Sequence, residues 1–151
     1  MLDRKKRVLI IDDEAGLTLL IKLCLEDTGN YIVQAATRGE TGLLAARAFE
    51  PDVILLDAIM PDMSGHDVAL QIRADPAIGR TPIVFLTATV SDNDDRTAAG
   101  SLFDFPVIAK PATAEARRKS RRDRGKVGEK LWRWESMGGG MFMSAQWSIL
   151  I

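Results

Sequence analysis

The run Val53-Ile54-Leu55-Leu56 stops abruptly at Asp57. Four apolar residues, half of them β-branched, read as a strand buried on both faces. The carboxylate that closes it is followed at once by Ala58-Ile59-Met60-Pro61-Asp62-Met63-Ser64-Gly65, the opening of a loop. Three other runs end in polar residues the same way. Val8-Leu9-Ile10-Ile11 meets Asp12-Asp13, Ile83-Val84-Phe85-Leu86 meets Thr87, and Val107-Ile108-Ala109 meets Lys110. Ligands of open α/β sheets bind at the carboxyl edge of the strands. These four ends are therefore expected to meet around Asp57.

Helical patterns separate the strands. Leu17, Leu20, Ile21, Cys24 and Leu25 fall on one face of a helix spanning about residues 14–28, and Gly29-Asn30 ends it. A second strand covers about 31–35. Thr37-Arg38-Gly39-Glu40 has capping-box spacing and opens a helix to about Phe49, which Pro51 stops. Ser64, with Asp67 three residues on, starts a third helix to about Ala74 that buries Val68, Ala69 and Ile72. Pro82 heads strand four, where a missing N–H is tolerated. The acids Asp92, Asp94 and Asp95 favour the start of a short fourth helix, ending by Ala99. Ser101 to Pro106 reads as a loop. Alternating strands and helices imply a parallel sheet covered on both faces, an α/β doubly wound fold.

The charge is divided unevenly. Residues 1–111 carry 11 Lys and Arg against 17 Asp and Glu, a net −6, while residues 112–151 carry nine against four, a net +5. That asymmetry marks a boundary between a domain core, 1–111, and a basic tail, 112–151. Within the tail, Ala114–Arg124 has no apolar stripe for docking a fifth helix. The run Arg117–Lys126 reads as a solvated face rather than a nucleic-acid contact, because no DNA-binding motif accompanies it. Trp132, Trp134 and Trp147 read as packing or dimer residues. Residues 141–151 are apolar but aperiodic, with no physical account. The single cysteine, Cys24, allows no internal disulfide and fits a reducing cytosol. On its helix face it reads as a small buried hydrophobe. No stretch approaches the ~20 apolar residues of a membrane span. A cytoplasmic location is expected.

If the strand ends converge, Asp12, Asp13 and Asp57 crowd together. Two unit charges ~5 Å apart at an effective dielectric near 20 repel by about 3 kcal/mol. Three ionised carboxylates then need a cation, or one takes up a proton. Hard oxygen ligands in a partly hydrated cluster suit Mg²⁺. Lys110 adds a fixed positive charge, Thr87 a hydroxyl donor, and small Ala88 leaves room for an incoming group. Such a set is poised for a phosphoryl group that a carboxylate attacks.

Four pieces, in order and at domain-like spacing, carry a family resemblance over about residues 6–111. They are Val8-Leu9-Ile10-Ile11-Asp12-Asp13-Glu14; Asp57 with Met60-Pro61-Asp62-Met63-Ser64-Gly65; Pro82 through Ala88; and Val107-Ile108-Ala109-Lys110-Pro111. In these the chain resembles the receiver domain of two-component response regulators, CheY-like proteins of signal transduction. The resemblance implies a flavodoxin-like five-stranded parallel sheet of order 2-1-3-4-5. It implies a phosphoprotein in which Asp57 takes a phosphoryl group from a phosphohistidine on a sensor histidine kinase or a histidine phosphotransfer protein. Asp13, Asp57 and the Ile59 backbone carbonyl would bind Mg²⁺, with Asp12 acting mainly through water. Lys110 and Thr87 would hold phosphoryl oxygens. The bond before Pro111 would be cis. Phosphorylation would switch a surface for a downstream protein that the sequence does not name. Three departures stand out. Val107 replaces the Tyr or Phe often found three residues before the lysine, with Phe105 near but out of register. The 101–106 segment looks altered, and the fifth helix lacks its stripe.

Other readings are weighed beside this one. Asp62 and Asp67 suit turn and helix-start roles, and His66 a solvated helix position. An aspartate-nucleophile phosphatase of the haloacid-dehalogenase type needs a second acid two residues past the nucleophile, where Ile59 stands. A flavodoxin-like flavin binder wants a donor-rich loop after strand one, and Asp12-Asp13-Glu14 would repel a phosphate. A receiver fold kept as a constitutive dimer or docking module, with the tail as its interface, is the remaining alternative. The expected domain accepts a phosphoryl group and slowly loses it, without being a turnover enzyme. Apolar Ile59 cannot orient water, so a fairly long-lived phosphoryl state is expected.

Overall fold

A computed structural model describes residues 4–87, 101–102 and 105–110. The elements are β1 (Lys6–Ile11), α1 (Ala15–Glu26), β2 (Tyr31–Ala36), α2 (Gly39–Phe49), β3 (Val53–Asp57), α3 (Gly65–Ala74), β4 (Ile83–Thr87), β5 (Ser101–Leu102) and β6 (Phe105–Ala109). Five parallel strands run in the order β2-β1-β3-β4-β6, the expected 2-1-3-4-5. The expected fourth helix, the cis bond at Pro111, and residues 112–151 lie outside the described residues.

The sheet is buried on both faces because successive side chains alternate across it. Val8, Ile10, Val53, Leu55, Val84, Leu86 and Ile108 pack with Tyr31, Val33 and Leu25 of α1 on one side. Leu9, Ile11, Ile54, Leu56, Ile83 and Phe85 pack with Ala46 of α2 and Val68, Ala69 and Ile72 of α3 on the other. Every residue of β3 is buried, as its unbroken apolar run requires. Cys24 is buried within α1's inner face.

The helix ends show which local signals held. Gly29 follows α1 at φ 78°, and Glu50 ends α2 in the left-handed region at φ 49°. Ser64 caps α3, accepting from the Asp67 amide at 3.1 Å while its hydroxyl donates to the Asp67 carboxylate at 2.7 Å. His66, expected to be solvated, is half-buried. The capping box at Thr37 does not form. Arg38 occupies the cap position of α2 without a side-chain bond. The Asp62 carboxylate, 23 residues away, accepts from the Gly39 amide at 2.9 Å instead.

Residues 101–106, expected as a loop, contain strand. Ser101–Leu102 pairs antiparallel with Phe105–Pro106, adding a two-residue strand at the sheet's edge. The cause is Phe105. Its ring lies edge-on to Phe85 at 5.4 Å, and the Arg73 guanidinium sits 5.2 Å from its centroid. Burying that ring draws β6 two residues further back than its β-branched run alone suggests.

One glycine closes the loop after β3. The Gly65 amide donates to the Ala58 carbonyl at 3.0 Å. A Cβ there would stand 2.0 Å from the Asp57 carbonyl oxygen and 2.9 Å from the Ala58 Cα, both backbone atoms that cannot swing aside. Gly65→Ala is expected to cost about 2–4 kcal/mol of folding stability. Urea denaturation, with the midpoint falling at an unchanged slope, measures it.

Candidate functional site

Strand register sets the level of each functional group. Ile11 pairs with Leu56, so Asp12 follows beside Asp57. Asp57 pairs with Leu86, and Thr87 with Ala109, so Lys110 stands two residues further along and two strands over from Asp57. Only a long, flexible stem reaches back across β4 from there. Lysine has one, with a point charge at its end.

The Lys110 ammonium lies 2.6 Å from Asp12 Oδ2 and 3.1 Å from Asp57 Oδ1. Asp12 is fully buried, and Asp57 and Lys110 are buried as well. The Glu14 amide donates to Asp12 Oδ1 at 2.9 Å, and the Ile59 amide to Asp57 Oδ1 at 3.3 Å. Asp13, beside them, is exposed. One carboxylate oxygen from each of Asp12, Asp13 and Asp57 falls within 4.8 Å of the others. Three hard oxygen donors, two buried and one facing water, match the chemistry of a partly hydrated Mg²⁺. A divalent cation would also relieve the crowding of like charges that Lys110 alone neutralises only in part.

Electrostatics at the site follow from burial. Desolvation, with the nearby Asp12 charge second, pushes the Asp57 carboxyl up from 3.8 to about 6, against the pull of Lys110 and the Ile59 amide. Burial pulls the Lys110 ammonium down, but its bonds to Asp12 and Asp57 outweigh that and the net direction is up. A carboxylate destabilised by its surroundings and touching a cation is the kind of group found at functional sites.

The geometry brings together Asp12, Asp13, Asp57 and Lys110 as the sequence leads one to expect. The Ile59 side chain, 81% exposed, points away from the core. Val107 is half-buried against the α2–α3 face of the sheet, two residues beyond Phe105 on the same side. The Thr87 side chain, Ala88 and Pro111 lie outside what is described, although the Thr87 backbone closes β4.

A model of the response regulator receiver domain matches residues 8–120. The chain belongs to the response regulator receiver family. DNA-binding response regulator MtrA of Mycobacterium tuberculosis (strain ATCC 25618 / H37Rv) is 31% identical over 131 residues, 84% of this chain and 56% of that protein. The chain spans about half the length of the curated relatives it matches. Among solved structures, the N-terminal domain of a response regulator receiver protein from Methanoculleus marisnigri JR1 aligns with a TM-score of 0.63 at 29% identity. That alignment covers 78% of this chain and 94% of that one. Chemotaxis protein CheY4 of Vibrio cholerae aligns at 0.61 and 28% identity, covering 80% and 98%. This receiver domain is therefore part of the two-component response regulators. Among its described residues no helix is long and apolar enough to cross a membrane.

Sequence reasoning missed one residue next to the site. The sequence suggests a turn role for Asp62 in its own loop, whereas its carboxylate holds the first turn of α2. The available signal was negative: Arg38-Gly39 offers no capping side chain, so the cap had to come from elsewhere.

The raised Asp57 pKa has a signed consequence for stability. The folded state holds this proton more tightly than the unfolded chain does. Its contribution is full below about pH 4 and is lost as pH rises through about 6. In Mg²⁺-free buffer, the stability of wild type relative to Asp57→Asn is expected to fall across that window. Denaturant titrations of both proteins from acid to neutral pH measure the difference.

Proposed function

We propose that this receiver domain takes a phosphoryl group onto Asp57 from a phosphohistidine, supplied by a sensor histidine kinase or a histidine phosphotransfer protein. The observation that carries the reading is the Lys110 ammonium held between Asp12 and Asp57 at the sheet's carboxyl rim. One Asp57 oxygen attacks phosphorus. A P–O bond forms as the P–N bond breaks, and its electron pair leaves with the imidazole. The product is an acyl phosphate, which water can later hydrolyse.

Asp12, Asp13, Asp57 and the Ile59 carbonyl are the groups that would hold Mg²⁺, Asp12 mainly through water. Bound there, the ion supplies positive charge to the carboxylates and to the phosphoryl oxygens. Lys110 gives up part of its contact with the carboxylates and pairs with a phosphoryl oxygen. The Thr87 hydroxyl bonds another, and Ala88 leaves space beside it. The product then alters a surface read by a downstream protein. DNA binding is named for MtrA, of which this chain covers 56%. For the described residues here the reading is phosphoryl reception and protein contact.

The domain is a stoichiometric acceptor, not a turnover enzyme. A phosphatase using Asp57 as nucleophile would need an acid two residues on, and Ile59 supplies none. Incubation with Mg²⁺ and acetyl phosphate or phosphoramidate, read by intact mass, tests the assignment. Wild type is expected to gain one phosphoryl group, and Asp57→Asn none. Addition that persists in Asp57→Asn, or steady turnover of phosphate monoesters, would overturn it.

Ile59 also bears on lifetime. An exposed aliphatic side chain two residues from the acceptor offers no hydrogen bond to an attacking water. The phosphoryl state is therefore expected to be fairly long-lived, and Ile59→Asn to shorten it. Following the decay of the phosphorylated mass after removal of the donor decides the point, and a wild-type lifetime of seconds would refute it.

A further inference from the structure

The loop between β3 and α3 carries Ile59, whose carbonyl the proposed site uses. Its fixings are few. The Ala58 amide donates to the Leu86 carbonyl at 3.1 Å, and the Gly65 amide returns to the Ala58 carbonyl at 3.0 Å. Met60 is buried in the core and Met63 is packed against it. Between them stands Asp62, on the protein surface, with its carboxylate on the Gly39 amide at 2.9 Å.

That contact is built rather than incidental. Gly39 lets the first turn of α2 approach the loop, since a Cβ there would meet Val68 Cγ2 at 2.9 Å and Met63 Cβ at 3.1 Å. Arg38 leaves the helix end without a side-chain cap of its own. A carboxylate at this end also faces the positive pole of the helix. The cap is thereby supplied by the same loop that leads from Asp57. Helix α2, which Gly42 seats against the buried side chain of Ile11, becomes its outside anchor.

We infer that Asp62 is a positioning residue for the cation site: by tying the loop to the α2 N-terminus, it holds the Ile59 carbonyl where Asp13 and Asp57 can share an ion with it. The inference rests on the Mg²⁺ reading above. It assigns to a surface aspartate a task beyond capping. Groups that orient metal ligands without touching the metal commonly govern affinity as strongly as some ligands do. Loss of the tie leaves Ile59 held by its own long amide bond to Asp57 Oδ1 at 3.3 Å, and through Ala58 on one side and Met60 on the other.

Calorimetric titration of the full chain with Mg²⁺ tests it, comparing wild type, Asp57→Asn, Asp62→Ala and Asp62→Asn, with thermal unfolding and the Gly39 amide NMR shift recorded for each. Asparagine keeps an oxygen to accept from Gly39, whereas alanine does not. Asp62→Ala is expected to weaken Mg²⁺ binding about tenfold, and Asp62→Asn to stay within about twofold of wild type. The Gly39 shift should move in the alanine variant alone. A lower unfolding temperature in Asp62→Ala with unchanged Mg²⁺ affinity would make Asp62 a helix cap only. Equal weakening in both variants would mean that it acts through its charge, and would overturn the positioning role. If wild type binds no Mg²⁺, or Asp57→Asn binds it as well as wild type does, the cation site itself fails, and this inference fails with it.

Discussion

A single ammonium between two buried carboxylates is the contact around which the rest of this structure makes sense. Lys110 lies within ion-pair distance of both Asp12 and Asp57, and none of the three is exposed to water. Burying one of these charges alone would cost several kcal/mol, and burying the two acids without the lysine would add their mutual repulsion. The arrangement persists because an apolar sheet on either side holds the strand ends in place. Its charge balance is nonetheless incomplete, with one full positive charge against Asp12, Asp57 and the nearby Asp13. Burial, and after it the Asp12 charge, raises Asp57, and the remaining negative charge makes the pocket receptive to a cation.

Strand order places the charges. β1 and β3 are neighbours, as are β3 and β4 and then β4 and β6. Because all five run parallel, their carboxyl ends lie on one rim, and the order reverses direction between β1 and β3. Asp12 and Asp57 come from the two strands at that reversal. Helices α1 and α3, which follow those two strands, leave for opposite faces there and so part at the rim. The apolar runs of the strands are thus also the reason that the polar residues ending them are gathered at one place. A single alteration of strand order would disperse the cluster without changing a residue.

Much of this was legible in the chain because it is written in short-range patterns. Unbroken apolar runs announced buried parallel strands, and the polar residues ending them announced the rim. Ser64 with Asp67, Gly29 after α1 and Pro82 before β4 were each read from chemistry within a few residues. What escaped has a long-range cause. Asp62 caps a helix 23 residues away, and no local spacing reveals it, whereas the capping box at Thr37 satisfied a local pattern and lost. Phe105 and Pro106 became strand because Phe85 and Arg73 provide a seat for one ring. The site residues proved easier to find than their supports because charged residues at the ends of buried strands are conspicuous, while a surface aspartate or an arginine near a phenylalanine is common.

The edge of the sheet beyond β4 raises a different question, how a change at Asp57 could reach a partner. Val107 occupies the position where related domains often carry an aromatic residue, and a β-branched side chain has too few rotamers and too little length to swing through the space such a ring would sweep. The aromatic ring present, Phe105, is one turn of the pleat further from the rim. Phe85 meets it edge-on and Arg73 sits over it, with that same guanidinium donating to the Gly79 and Thr81 carbonyls. Rotating the ring would break a packed contact and a cation–π contact together, each worth about 0.5–1.5 kcal/mol. Strand β6, by contrast, contains Val107 and leads directly into Lys110, the group that in the proposed reaction would trade a carboxylate for a phosphoryl oxygen. On that reading a shift of the lysine would act on the strand itself, which makes the backbone of β6 a more direct connection from the rim to this face than rotation of Phe105.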